Sequence, residues 1–178
     1  MSVYTHSTHL RRLIYAATLL AMALLLPFVT GQIPQIGKML CPMHLPVILC
    51  GILCGIPYGA AVGFAAPLLR SFLFGVPVMS TALGMAAELL VLGVLSGLFI
   101  RLLPRRIPYL YLSLVCAIAG GRLALAAAKF VINGIAGTSF SFFGYLAANV
   151  TGALPGIVLQ LVAVPPLALL LRRLFPVE

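Results

Sequence analysis

Long apolar runs, broken by Gly, Pro and isolated charges, fill this sequence and leave little with which to cover a water-facing surface. Of its 178 residues, 63% are hydrophobic and 7% charged, whereas a soluble domain carries about 25% charged residues. That balance identifies an all-α integral membrane protein. High helical hydropathy without weak strand-like alternation points to helices and away from a barrel. At about 20 apolar residues per crossing, the length holds five or six helices in a single membrane domain, 1–178.

The basic residues orient the chain. Net charge is +9, and seven of the eleven Lys and Arg lie in three clusters: Arg11 and Arg12; Arg101, Arg105 and Arg106; Arg172 and Arg173. This is the distribution of a topology signal, and no soluble basic surface is left to host nucleic acid. Taken in order, the runs give a polar tail, 1–9, and helices at about 10–30, 43–57, 59–74, 80–101, 107–133 and 142–172. A six-transmembrane-helix bundle puts both termini and all three basic clusters in the cytoplasm. Arg11-Arg12 before an apolar run resembles a signal peptide. The run continues past Ala21-Met22-Ala23 to Phe28, however, and further spans follow, so an uncleaved first helix is expected.

The second and third helices are short for full spans, and tilt or partial crossing is expected. They join at Pro57-Tyr58-Gly59. Gly51, Gly55, Gly59 and Gly63 recur every four residues, a spacing that allows close packing across that turn, and Gly93 and Gly97 allow it on the fourth helix. Ala17 and Ala21 form a small-xxx-small pair on the first. Cys41, Cys50, Cys54 and Cys116 read as buried apolar residues. Cys50 and Cys54, one turn apart, are poorly placed for a disulfide. Cys41-Pro-Met-His44 offers soft ligands but no second pair, so no metal is expected.

Depth can be measured from the cytoplasmic loop at about 1.5 Å per helical residue. Glu88 then lies about 20 Å above Arg101, and Arg122 about 24 Å above Arg106, on antiparallel neighbours. A buried ion pair follows, because either charge alone is costly in hydrocarbon. Arg70 sits about 16 Å above Gly59. Lys129 is two turns outward of Arg122, Gln160 reaches the same zone from the sixth helix, and Asn149 lies nearer its outer end. His44 opens the second helix at the outer loop that carries Lys38. Arg70, Arg122 and Lys129 against Glu88 sum to +2, which favours an anionic ligand such as a carboxylate. A plainer reading stands beside this one. Lys129 and Arg70 can snorkel to an interface, Glu88–Arg122 can be architectural, and His44 can be a cap. Phe140, Phe142, Phe143 and Tyr145 read as an interfacial aromatic belt.

No Walker A loop, Ser-His-Asp set, HExxH motif or His-rich cluster is present, so neither ATP hydrolysis nor another enzymatic activity is expected. No cofactor is expected either.

Residues 34–97, from PQIGKMLCPMHLPVILCGILCGIPYGAAVGFAAPLLRSFLFGVP to ALGMAAELLVLGVLSG, resemble the substrate-binding S components of energy-coupling factor (ECF) vitamin transporters. Gly121-Arg122 is a further match, and Ala17-xxx-Ala21 looks like the small-residue motif by which such proteins dock on their shared subunit. The resemblance implies a high-affinity receptor in a prokaryotic cell membrane, typically of a Gram-positive bacterium. Its partners would be a transmembrane scaffold and two cytoplasmic ATPases. Outer loops 31–42, 74–80 and 133–141 would close over the substrate, which is released inward after the subunit topples. The basic excess and the lack of Trp favour a small flexible carboxylate, pantothenate first. The alternative is a structural or assembly subunit of a membrane complex, with no small-molecule ligand.

Overall fold

The computed structural model describes residues 2–29, 39–103, 106–135 and 141–174. Among these residues the chain is all-helical: α1 (Ser2–Val29), α2 (His44–Cys54), α3 (Ile56–Phe74), α4 (Met79–Leu102), α5 (Ile107–Ile135), α6 (Phe142–Gly152) and α7 (Leu154–Leu174). Five helices (α1, α3, α4, α5 and α7) are long and apolar enough to cross a membrane. This is the architecture of a multi-pass membrane protein. The outward faces carry residues such as Leu13, Ile14, Phe72, Leu123 and Val162, apolar side chains that suit lipid rather than water.

The short helix α2 is the centre of the packing. It contacts α1, α3, α4 and α7, and nine of its eleven residues are buried. A helix that is apolar all round needs neighbours on every side, and α2 has them. Its shortness therefore reflects a core position within the bundle.

Glycines set how closely α2, α3 and α4 approach. A Cβ on Gly59 would lie 2.7 Å from the carbonyl oxygen of Gly93 and 2.8 Å from Cα of Gly51. A Cβ on Gly97 would lie 2.9 Å from the backbone nitrogen of Ile56. One Cβ at any of these positions would push two backbones apart. Gly63 likewise abuts the carbonyl of Leu89, so the contact fixes the rotation of α4 at the residue after Glu88.

Three boundaries differ from the expectation. Helix α1 starts at Ser2, running through the stretch read as a tail. The turn between α2 and α3 falls at Gly55, whose φ of 95° is open to glycine. Pro57 then stands in the first turn of α3, where its fixed φ suits a helix start, and Gly59 becomes an interior packing glycine. The last helical stretch is two helices, α6 and α7, broken at Ala153. Gly152 and Pro155 flank that break, and Pro155 can donate no backbone hydrogen bond.

Candidate functional site

Glu88 is held at the middle of α4 and is 3% exposed. Its Oε1 is approached from two directions. Nη1 of Arg122, on α5, lies 2.9 Å away, and Nε2 of His44, at the start of α2, lies 3.1 Å away. Gly121, beside Arg122, leaves room for this approach: a Cβ there would lie 3.3 Å from the Glu88 carbonyl oxygen and 3.6 Å from its Cγ. The expected pair of Glu88 with Arg122 is therefore present, and His44 joins it. The N-cap of α2 is Met43, with no side-chain capping bond.

Arg122 makes a second contact, with Nη2 donating to Sγ of Cys41 at 3.2 Å. Cys41 precedes α2 and adopts a positive φ of 48°. Burial pushes its thiol pKa up, so Arg122 meets a neutral sulfur. Sequence reasoning placed Cys41 among the apolar cysteines. Nothing in the Cys41-Pro42 pair marks it as a partner for arginine, and only the path of the backbone does.

Gln160 is 1% exposed, and neither its Oε1 nor its Nε2 has a hydrogen-bond partner among the described residues. It lies one turn from Gly156, on the same face of α7. A Cβ on Gly156 would stand 2.9 Å from the Leu40 carbonyl oxygen, so this face of α7 is pressed against the chain that leads into α2. Nδ1 of His44 is also buried without a partner. Segment 40–44 thus runs between α7 on one side and Glu88 with Arg122 on the other. Asn149 borders the group from α6 through its hydrogen bond to Tyr145, which lies within electrostatic range of both Glu88 and Arg122.

Two expected members sit elsewhere. Arg70 is buried at the contact of α3 with α1: Nη1 donates to the Leu24 carbonyl at 2.9 Å, and the guanidinium lies 5.2 Å from the Phe28 ring centroid and 5.9 Å from that of Phe74. Depth misplaced Arg70: Gly59, the zero of its count, packs against Gly93 inside the bundle and Gly63 meets Leu89, so Arg70, seven residues on, lies about 10 Å beyond that level and meets α1. Lys129 runs outward along Gly84, and Nζ donates to the Ser80 carbonyl at 3.2 Å, as snorkelling requires. The +2 excess is therefore not gathered around Glu88, where Arg122 supplies the single matching arginine. Lys38 lies outside the described residues. Ala17 and Ala21 are exposed on α1, turned away from the core formed by Ala16, Leu19 and Ala23.

Chemically, the arrangement is a buried, charge-matched polar group inside an apolar bundle, with one amide and one imidazole nitrogen left to bond. No group of three or more His, Cys, Asp or Glu able to hold a metal occurs among the described residues. Comparison with family models, curated proteins and solved structures finds no match for this chain.

Proposed function

We propose that the chain is the substrate-binding S component of an ECF-type importer, taking up a vitamin or related micronutrient. Gln160 carries the reading. A buried amide with unmet donor and acceptor is costly in an apolar interior, and a ligand that both accepts and donates hydrogen bonds would satisfy it. His44, Glu88 and Arg122, gathered near the same segment, would orient such a ligand. Pantothenate fits this chemistry, with an amide for Gln160 and a carboxylate for Arg122.

In this reading α6 and α7 together make one broken crossing, so the bundle has six spans and cytoplasmic termini. The partners are a membrane scaffold and two ATPase subunits in the cell membrane of a Gram-positive bacterium. The exposure of Ala17 and Ala21 supports α1 as the docking helix. The sequence resemblance over residues 34–97 supports the family assignment.

The internal pairing of Glu88 favours a second reading, a structural subunit whose charges only lock helices together. Mass spectrometry of small molecules retained by the purified protein separates the two. A stoichiometric vitamin supports the receptor. Preparations that stay empty when the protein is expressed and purified with each vitamin in excess support the structural subunit.

A further inference from the structure

At the end of the bundle remote from Glu88, a cavity of about 300 Å³ is lined by Arg12 and Arg101 together with Ile52, Cys54, Gly55 and Leu103. Arg101 stands thirteen residues, or about 20 Å, along α4 from Glu88, so the two sites are separate. The cavity lies where α1, α2 and α4 meet, beside the turn that ends α2.

The lining is specific in three respects. Among the described residues it carries two guanidinium groups and no carboxylate. Its turn residue, Gly55, has a φ of 95°, which favours glycine, and the Arg101 guanidinium lies against it, with Nη2 2.8 Å from where a Cβ would stand. Its remaining walls, Ile52 and Leu103 among them, are apolar. Arg12 is half-buried, with its Nε enclosed, and Arg101 is exposed, so the site reaches from the bundle to its surface.

We propose that this cavity is a phosphate-binding site, distinct from the polar group around Glu88 and independent of the transport reading. Planar guanidinium groups match tetrahedral phosphate oxygens with paired N–H donors. The phosphate can belong to an anionic phospholipid headgroup, whose glycerol and first methylenes would meet Ile52 and Leu103, or it can be free in solution. Arg11 provides the internal control. It neighbours Arg12 on α1, is exposed, and does not line the cavity, so a general attraction of interfacial charge for anions would use it equally.

The full chain in neutral detergent is titrated with short-chain phosphatidylglycerol, short-chain phosphatidylcholine and inorganic phosphate, with binding read by native mass spectrometry and calorimetry. Saturable binding of phosphatidylglycerol over phosphatidylcholine, weakened about tenfold or more by Arg12→Gln and by Arg101→Gln but not by Arg11→Gln, supports the site with a lipid as its source. The same variant pattern with inorganic phosphate supports a free phosphate. Absence of saturable binding to the wild-type chain in both arms overturns the proposal whether or not the variants fold. Equal weakening by Arg11→Gln also overturns it.

Discussion

Nη1 of Arg122 on α5 lies 2.9 Å from Oε1 of Glu88 on α4, and both residues are more than nine-tenths buried. Neither charge can be removed alone without leaving the other unmatched in the interior. Breaking a buried pair in this way costs about 3–5 kcal/mol, whereas replacing both partners with well-packed neutral groups is often close to neutral. Glu88→Gln and Arg122→Met should each lower the melting temperature in detergent sharply. The double variant should recover much of the loss. Additive losses in the double-mutant cycle would show that the two side chains do not act as a pair.

Gln160 gives a prediction with opposite signs for stability and binding. An unsatisfied buried polar group costs about 1–3 kcal/mol. Gln160→Leu should therefore stabilise the ligand-free protein while abolishing the thermal shift produced by its ligand. A destabilised Gln160→Leu variant would mean that the amide is already bonded in the free protein.

The glycine contact between α3 and α4 can be tested by adding one methyl group. Gly59→Ala would place a Cβ 2.7 Å from the Gly93 carbonyl oxygen, and overpacking of this kind costs about 1–3 kcal/mol. Gly134→Ala, near the end of α5, meets no atom within 4 Å and should be neutral or stabilising by up to about 1 kcal/mol. Thermal unfolding of the two variants in one detergent reads the difference. Equal behaviour would contradict the close approach.

Arg70 belongs to the α1–α3 contact, so its removal should affect packing more than recognition. Arg70→Met retains much of the apolar stem but loses the bond to the Leu24 carbonyl, a charged hydrogen bond worth about 1.5–3 kcal/mol. Stability should fall while the affinity for any ligand identified stays within about twofold, a change of less than half a kcal/mol. Loss of affinity in a folded Arg70→Met variant would return Arg70 to the binding site.

Depth along a helix was legible where the end of the helix was placed correctly, and direction around it was not. Counting residues from the loop between α4 and α5 put Glu88 and Arg122 at matching heights, and the two side chains do meet. The count for Arg70 started from Gly59, which packs against Gly93 inside the bundle, so Arg70 lies beyond Glu88 and meets Leu24, while Lys129, two turns on from Arg122, meets Ser80. Helix rotation depends on contacts such as Gly63 against Leu89, which involve residues far apart in the chain. The role of His44 was half legible: its position at the head of α2 was clear, but its bond to Glu88 depends on α2 being central. Cys41 could not be read as a partner of Arg122, since the contact spans 81 positions and arises from the irregular backbone before α2. The break at Ala153 did leave a local signal in Gly152 and Pro155, outweighed by the continuous apolar run around it.

The receptor reading is tested most directly by the melting temperature of the purified wild-type chain against a panel of vitamins, with Gln160→Leu alongside. The account predicts that one vitamin, pantothenate first, stabilises the wild-type protein in a concentration-dependent way and leaves the folded Gln160→Leu variant unmoved. A wild-type protein unaffected by every member of the panel at millimolar concentration, after any retained ligand has been removed, would contradict it and leave the Glu88–Arg122 pair a structural device.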